Sequence, residues 1–249
     1  MTDKDHYYNR AKQEGYRARS AYKLIQIDDN IGVFSGSDTV VDLGAAPGGW
    51  LQVERERART VLGVDLQEIE PIEGVETIMG DITEEETREK IVEKVGKADV
   101  VTCDASPNLT GNWSVDHARS VHLARSALET AKAVLKSGGN FVVKVFQGDM
   151  LEEFKEEVES EFEYVRAYSP DASRDESSEI YLIGKGFLTA PVREGDILEV
   201  KIQDTGSEGD GIAKVDGYTL IVKGAEEGET VEVEVTDVKS NYSFAEKRG

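Results

Sequence analysis

The sequence predicts an α/β domain with a mainly parallel sheet, followed by a small all-β barrel. From residue 38 onward, short runs rich in β-branched residues alternate with amphipathic helical stretches. This alternation is the pattern of βαβ units, and such units build parallel sheets. From about residue 190 only short alternating strands remain, separated by Gly-Asp, Asp-Gly and Gly-Glu turns. That second pattern favours a small closed barrel.

Residue spacing predicts the individual elements of the first domain. Five apolar runs predict strands at residues 39–43, 60–65, 75–79, 99–104 and 140–146. Helical spacing predicts helices at residues 84–96, 115–136 and 150–165, the last of them very acidic. Two later strands are expected around Tyr164–Ala167 and at Glu179–Ile183. The last of these is expected to pair in a hairpin or to lie at the sheet edge.

The pattern changes after Gly186, which predicts two domains. We place them at residues 1–187 and 190–249, with the boundary near Pro191. The strands of the second domain are expected at residues 197–202, 211–215, 218–222 and 230–238.

The chain is strongly acidic, with 50 Asp and Glu against 29 Lys and Arg in 249 residues and a net charge of −21. Such a surface repels phosphate backbones on average, so composition alone argues against nucleic-acid binding. Concentrated salt screens that repulsion, with a Debye length of about 3 Å at 1 M. We therefore interpret the acidity as an adaptation to a salt-rich habitat.

Residues 4–23 run against this charge, with six Lys and Arg against two acidic residues. Four tyrosines are interleaved with them. Cations combined with aromatic rings suit a surface that holds phosphates and stacks on bases. A solvated helix with some buried tyrosines is the alternative interpretation. On the first interpretation, RNA would contact Lys12, Arg17, Arg19 and Tyr22.

Cysteine, histidine and hydropathy exclude several other classes of protein. A single cysteine, Cys103, excludes an intramolecular disulfide and a cysteine-rich zinc site. The three histidines lack ligand spacing, so no metal site is expected. Neither a signal peptide nor an apolar run of about 20 residues is visible, which predicts a cytoplasmic protein without membrane spans.

Acidic residues follow three successive predicted strands. Asp42 ends the first strand and precedes a small-residue loop, Asp65 ends the second, and Asp81 follows the third. Glycine and alanine let a ligand approach the backbone closely, and the start of a helix offers free N–H groups. This constellation indicates S-adenosylmethionine, whereas the absence of Gly-x-Gly-x-x-Gly spacing disfavours a nicotinamide cofactor. The expected cofactor contacts are Asp42, Gly44, Ala45, Pro47, Gly48, Gly49, Trp50, Asp65, Leu66, Asp81, Ile82 and Asp104.

The string Asp-Leu-Gly-Ala-Ala-Pro-Gly-Gly-Trp at residues 42–50 resembles the signature of the FtsJ/RrmJ-type ribose 2′-O-methyltransferases. Further blocks of that family match in order at residues 18–24, 103–108, 142–148, 169–174 and 178–181. The resemblance covers about residues 8–185 and, with the acidity, points to the archaeal, salt-adapted type. It implies a Rossmann-like methyltransferase fold. It also implies a catalytic set formed by Lys23, Asp104, Lys144 and Glu179.

The resemblance implies methyl transfer from a sulfonium to a hydroxyl, and the hydroxyl must lose its proton. A lysine can accept a proton only as a neutral amine, whereas an ordinary lysine has a pKa of about 10.4. Lys144 sits inside an apolar run, where burial and a second cation such as Lys23 favour the neutral amine. We therefore expect Lys144 to act as the general base or to steer the hydroxyl. Asp104 and Glu179 would position the lysines, and no metal is required.

Residues 190–246 resemble a TRAM domain, which implies an OB-like barrel that binds RNA. Residues 190–249 carry seven basic and 14 acidic residues, so the net charge of −7 in this part of the chain opposes RNA. A structural or docking role for the barrel therefore stays open.

The resemblance as a whole implies a monomer that methylates a uridine 2′-hydroxyl in large-subunit (23S) rRNA, with rRNA or a ribosomal subunit as its partner. A tRNA-directed or cap-directed ribose methyltransferase would need the same chemistry residues. A non-catalytic RNA-binding factor for ribosome assembly is the alternative from another class, and the intact catalytic set speaks against it.

Overall fold

The computed structural model describes residues 4–36, 38–173, 178–206 and 209–248. The helices in these ranges are α1 (Lys4–Glu14), α2 (Ala21–Ile31), α3 (Gly49–Arg57), α4 (Glu85–Val95), α5 (Trp113–Val134) and α6 (Leu151–Glu159). The strands of the first domain are β1 (Thr39–Leu43), β2 (Thr60–Asp65), β3 (Val75–Met79), β4 (Ala98–Cys103), β5 (Leu135–Phe146), β6 (Phe162–Tyr168) and β7 (Glu179–Phe187). None of the helices in the described part of the chain has the length and hydropathy needed to cross a membrane.

The seven strands of the first domain form one sheet in the order β3-β2-β1-β4-β5-β7-β6. Strands β1 to β5 pair in parallel, and β7 runs antiparallel between β5 and β6. Separate apolar cores cover the two faces of the sheet, which explains why β1, β2 and β4 read as nearly continuous apolar runs. The predicted α/β class is confirmed. The carboxyl ends of the parallel strands all lie at one edge of the sheet.

The acidic helix ends earlier than its sequence predicts. We expected it over residues 150–165, but α6 stops at Glu159 and β6 begins at Phe162. The Phe162 ring stacks on Phe141 with centroids 5.9 Å apart. Gly184 of β7 makes room for this ring, because a Cβ there would lie 2.7 Å from Phe162 Cγ. A contact between distant residues thus overrides the local helical pattern.

Strand β5 differs from expectation, whereas β7 pairs antiparallel with the preceding strand β6, in agreement with the hairpin alternative. Strand β5 starts at Leu135 instead of residue 140, because Leu135 already pairs with Ala98 of β4. Strand β7 lies one position inside the edge, and β6 is the edge strand. Strands β6 and β7 pair antiparallel and are joined by residues 169–178.

The second domain is a curled six-stranded sheet with its own apolar core. Its strands are β8 (Ile197–Lys201), β9 (Asp204–Thr205), β10 (Gly211–Val215), β11 (Tyr218–Lys223), β12 (Thr230–Val238) and β13 (Tyr242–Lys247). They lie in the order β8-β12-β13-β11-β10-β9. Strand β13 was not predicted. It fills the place between β11 and β12, where only its inward side chains Ser243 and Ala245 are buried.

The turn between β12 and β13 connects the two domains. Ser137 Oγ donates a hydrogen bond to the Ser240 carbonyl at 2.7 Å. Ser240 Oγ donates to Glu163 Oε1 at 2.6 Å, and the Ser240 backbone N–H donates to the same oxygen. The second domain is therefore attached to β5 and β6, on the antiparallel side of the sheet.

Two carboxyl groups are buried together between β1, α3 and β4. Asp42 and Glu54 are both 0% exposed. Thr102 Oγ1 donates to Glu54 Oε1 at 2.7 Å and lies 3.3 Å from Asp42 Oδ1. Burial raises the pKa of Glu54 to about 8. Burial, followed by the charge of Glu54, holds the pKa of Asp42 well above its usual range. The pair therefore retains a proton in the folded protein at neutral pH.

Because Glu54 and Asp42 hold a proton when folded, we expect the free energy of unfolding to fall as the pH rises. Folded Glu54 keeps its proton up to about pH 8, whereas an unfolded glutamate releases it near 4.5. The stabilisation is fully present below pH 4.5 and is lost as the pH rises through 8. Glu54→Gln should therefore be more stable than the wild type at pH 9, by on the order of a few kcal/mol, and the gain should shrink toward pH 5.

Urea unfolding at pH 5, 7 and 9 measures this difference. Glu93→Gln, which changes an exposed carboxylate of α4, serves as the control and should leave the wild-type pH profile unchanged. Parallel profiles for Glu54→Gln and the wild type would show that Glu54 does not titrate in this range.

Candidate active site

A cavity of about 610 Å³ opens at the carboxyl ends of β1 to β4. Six of the predicted cofactor contacts line it: Gly44, Asp65, Leu66, Asp81, Ile82 and Asp104. We call it the strand-tip cavity. Arg119 and His122 of α5 also line it, and sequence reasoning identified neither of them as a site residue. The cavity has the size of a small-molecule site.

The loop after β1 forms the floor of the strand-tip cavity. Gly44 has a φ of +75°, and a Cβ on it would lie 2.6 Å from Ala105 Cβ. Only glycine therefore lets the loops after β1 and β4 come this close. Gly48, with a φ of +106°, turns the chain into α3 and provides no side-chain cap for the helix start.

Asp65 and Arg17 hold this loop from two sides. Asp65 Oδ2 accepts a hydrogen bond from the Ala46 N–H at 2.9 Å, and its Oδ1 accepts one from the Gln67 N–H at 2.8 Å. The Arg17 guanidinium donates to the carbonyls of Pro47, Glu70 and Pro71. We had expected Arg17 to contact RNA, but its donors fasten the Pro47 loop to the segment after β2.

Asp81 and its neighbours combine a carboxylate with apolar surface. The N–H and hydroxyl of Thr83 donate to Asp81 Oδ1, and these bonds hold the pKa of Asp81 below its usual value. Ile82 is buried beside it, while Leu66 is exposed. The strand-tip cavity can therefore accept hydrogen bonds from hydroxyl and amino groups while covering a flat apolar ring.

Six predicted contacts lie outside the lining of this cavity: Asp42, Ala45, Pro47, Gly48, Gly49 and Trp50. Asp42 belongs to the buried carboxyl pair. Trp50 is buried, its Nε1–H donates to the Ser20 carbonyl at 2.8 Å, and its ring lies 5.8 Å from that of Tyr181. Both side chains are buried and do not line the cavity.

The four residues of the predicted catalytic set meet in one cluster, which we call the Lys–carboxylate cluster. Lys23 comes from α2, Asp104 follows β4, Lys144 lies in β5 and Glu179 begins β7. Lys144 Nζ lies 3.1 Å from Asp104 Oδ1 and donates to the Asp104 carbonyl at 2.7 Å. Lys23 Nζ lies 2.6 Å from Glu179 Oε2. Four elements distant in sequence thus bring two cations and two anions together.

Pairing keeps both carboxylates of this cluster ionised. Burial alone would raise the pKa of Asp104, but the charges of Lys144 and Lys23 and a hydrogen bond from Tyr181 outweigh it and lower that pKa. Burial would also raise the pKa of Glu179, but the charges of Lys23 and Lys144 outweigh it and lower that pKa. The lysines are only 8% (Lys23) and 5% (Lys144) exposed, so this is a desolvated site.

Tyr181 completes the cluster, and sequence reasoning did not single it out. Its hydroxyl donates to Asp104 Oδ1 at 2.7 Å, and its ring is fully buried. Lys23 Nζ lies 5.7 Å from the centre of this ring. The alternation of β7 could have signalled it, since Tyr181 is two residues from Glu179 and faces the same side.

A second cavity of about 550 Å³ lies on the other side of the cluster's charged groups. Lys23, Glu179, Arg19, Leu109, Trp113 and Phe146 are among its lining residues, and we call it the Trp113 cavity. Asp104 lines the strand-tip cavity, whereas Lys23 and Glu179 line the Trp113 cavity. The Lys–carboxylate cluster therefore stands between two spaces that can each hold a ligand.

The N-terminal segment is used differently from our expectation. Lys12 is exposed, in agreement with an RNA contact. Tyr22 is only 2% exposed; its hydroxyl donates to Glu14, and Arg10 covers its ring at 4.7 Å. A buried ring cannot stack on a base, so the prediction for Tyr22 is corrected. Arg19 lines the Trp113 cavity and donates to the Ala172 carbonyl at 2.8 Å.

The structure offers neither a metal centre nor a reactive thiol in the part of the chain it describes. No group of three His, Cys, Asp or Glu side chains in that part is arranged to hold a metal ion. Burial raises the pKa of Cys103 to about 12, so its thiol stays neutral.

Models of known protein families match both domains of the chain. The model of the FtsJ-like methyltransferase family matches residues 16–187, and that of the TRAM domain matches residues 191–247. A crystal structure of a Plasmodium falciparum protein described as a ribosomal RNA methyltransferase superposes with a TM-score of 0.62 at 28% identity. That superposition covers 69% of this chain and 98% of the other.

Similar curated proteins align over almost the full length. Relatives named ribosomal RNA large subunit methyltransferase E are 61% identical in Natronomonas pharaonis, covering 99% of both chains, and 57% identical in Halobacterium salinarum, covering 98% and 97%. The relative of the same name in Methanosarcina mazei is 57% identical, with 98% and 92% covered. On the strength of the family match across residues 16–187 and these alignments, the chain belongs to the FtsJ-like methyltransferase family.

Proposed function

We propose that the protein transfers a methyl group from S-adenosylmethionine to the 2′-hydroxyl of a uridine ribose in large-subunit (23S) rRNA. The observation that carries this proposal is the Lys–carboxylate cluster, which stands between two cavities and holds two desolvated lysines. The names of the relatives support the choice of large-subunit rRNA. The TRAM match supports an RNA substrate.

The strand-tip cavity fits S-adenosylmethionine by the chemistry of its lining. Asp65 would accept hydrogen bonds from ribose hydroxyls, Asp81 would accept one from the adenine amino group, and Leu66 with Ile82 would cover the ring. Gly44 lets the loops after β1 and β4 approach each other closely at this cavity, since Ala105 occupies the place that a Cβ would take. When bound, the cofactor supplies a methyl group on a positively charged sulfur.

In the proposed reaction, Lys144 handles the proton of the ribose hydroxyl. Its Nζ contacts the carbonyl and the carboxylate of Asp104, which use two of its tetrahedral directions. The remaining direction carries a lone pair in the neutral amine and an N–H in the ammonium ion. In the first case Lys144 receives the proton as general base, and in the second it steers the hydroxyl oxygen. Asp104 fixes this direction in either case.

Lys23 and Glu179 form the other half of the site. Lys23 faces the Trp113 cavity from α2 and is held by Glu179 at 2.6 Å. A cation fixed there stabilises the negative charge that develops on the ribose oxygen. Its orientation is set before the substrate arrives, so little reorganisation is needed during reaction.

Replacing Lys144 tests the proposal directly. The wild type, given tritiated cofactor and ribosomes from a strain lacking the enzyme, should place label on a 2′-hydroxyl of large-subunit rRNA. Lys144→Ala should lower the rate by 10²- to 10⁴-fold, as expected for loss of acid–base assistance, while RNA binding persists. Lys155→Ala, which removes a lysine of α6 paired with Glu152 and Glu159, is the control. Label found only in tRNA would refute the rRNA assignment, and undiminished methylation by Lys144→Ala would refute the mechanism.

Replacing Asp65 tests the cofactor assignment. Asp65→Asn keeps an acceptor but removes the charge, and Asp65→Ala removes both. Calorimetry with S-adenosylhomocysteine should show affinity reduced by about tenfold or more for the alanine variant and by less for the asparagine variant. Glu68→Ala changes a nearby exposed carboxylate and should bind normally. Unchanged affinity in both Asp65 variants would show that Asp65 does not bind the ribose of the cofactor.

Tyr181→Phe tests whether Tyr181 is a positioning residue. Loss of a hydrogen bond to a buried carboxylate should lower kcat by about tenfold or more, with the KM for RNA nearly unchanged. Because the Tyr181 hydroxyl lowers the pKa of Asp104, the acid limb of the kcat–pH profile should move to higher pH. Tyr168→Phe changes the residue opposite Tyr181 on β6 and is the matched control. An unshifted profile with normal kcat would assign Tyr181 to packing alone.

A further inference from the structure

The Trp113 cavity contains an aromatic surface that the chemistry of methyl transfer does not use. Trp113 is the first residue of α5, and its side chain is 49% exposed. Leu109, on the loop before it, is 69% exposed and lines the same cavity. Large apolar side chains grouped at the mouth of a cavity mark a binding surface more often than a chance exposure.

The plane of the Trp113 ring is fixed by two rings stacked against it. Phe146 lies 5.9 Å away with an interplanar angle of 19°, and His117 lies 6.4 Å away at 18°. Both of these rings are buried. An indole supported by buried rings while half exposed presents flat aromatic surface to the cavity.

His117 is itself locked in place, which makes this support rigid. Its Nε2 accepts a hydrogen bond from the Met150 N–H at 3.1 Å, and its Nδ1 lies 3.1 Å from the Phe146 carbonyl. The tautomer with hydrogen on Nδ1 satisfies both contacts. Gly148 packs directly onto the ring, since a Cβ there would lie 2.7 Å from it. A stacking surface built on such fixed parts loses little entropy when a ligand binds.

The stack is joined to the reacting groups through β5. Phe146 is two residues beyond Lys144 in the same strand, so both side chains project from the same face of the sheet. Lys23 and Glu179 share the lining of the cavity with Trp113. A ribose at the lysines would therefore have its base in the same cavity as the indole.

We propose that Trp113 is the platform on which the base of the methylated nucleotide stacks, and that it thereby positions the ribose at Lys144. This inference rests on the proposed function. Stacking on an aromatic ring is a strong and sequence-tolerant way to hold an unpaired base. It also suits this chain, because stacking needs no positive surface and salt does not screen it, whereas a net charge of −21 works against phosphate contacts.

Kinetics on unmethylated large-subunit rRNA, transcribed in vitro, test the proposal. Trp113→Ala should lower kcat/KM for the rRNA by about tenfold to a hundredfold, and Trp113→Phe should keep most of the activity. The loss should be the same at low and high salt, because it is not electrostatic. Affinity for S-adenosylhomocysteine should be unchanged. Val115→Ala, which trims an exposed apolar residue in the same turn of α5, should behave as the wild type.

Fluorescence gives a second measurement that does not depend on the alanine variant folding. The chain has two tryptophans, and Trp50 is buried, so Trp113 is the exposed indole. The unmethylated rRNA should quench its emission in the protein loaded with S-adenosylhomocysteine, and Trp113→Phe should lose this quenching. Absent quenching, or normal kinetics of Trp113→Ala in an active background, would overturn the inference. A wild type that methylates no ribose in rRNA would instead overturn the proposed function.

Discussion

The contact between Lys144 and Asp104 is the interaction on which the site depends. It places a lysine inside an apolar strand, and a charge in that position is tolerated only when it is paired and hydrogen-bonded. Asp104 takes part through its carbonyl and its carboxylate, so the loop after β4 is fixed by the same residue that holds the lysine. Since Asp104 also lines the strand-tip cavity, the shape of that cavity and the position of the lysine are not independent. Removal of either partner would leave the other charge buried without compensation.

The buried pair of Asp42 and Glu54 shows the opposite solution to the same problem. No cation lies among the hydrogen-bond or ion-pair partners that the structure gives these two carboxyls, and burial is met by retaining a proton. Asp104 follows β4, which is the strand next to β1 in the sheet. Its carboxyl group stays ionised because two lysines face it. The sheet thus carries neutral and charged carboxyl groups side by side, and local partners decide which is which.

Much of the fold could be predicted because it follows from local pattern. The predicted bounds of β1, β2 and β3 agree with the structure, since each run of strand-forming residues either ends in an acid or is followed by a glycine. Strand β13 was not predicted, because its pattern is the reverse of the usual one: Tyr242 and Phe244 lie on the exposed face, and the small residues Ser243 and Ala245 lie on the buried face. Phe162 ended a helix-like stretch through a contact with Gly184, which no local pattern contains. In the site, family blocks pointed to the four charged residues. The positions of Tyr181 and Trp113 depend on tertiary neighbours. Tertiary neighbours also bury Tyr22 and hold Arg17 at loop carbonyls, which no local pattern predicts.

The charge of the whole chain and the charge of the site obey different rules. The Lys–carboxylate cluster pairs two lysines with two ionised carboxylates, one to one and within direct contact distance. Interactions at that range inside a desolvated site are screened little by salt, whereas contacts of an acidic surface with a phosphate backbone change strongly with it. A chain with a net charge of −21 can therefore carry the same buried electrostatics as a basic relative would. What must differ is how the RNA is held, and an aromatic platform beside the lysines satisfies that requirement without adding positive charge.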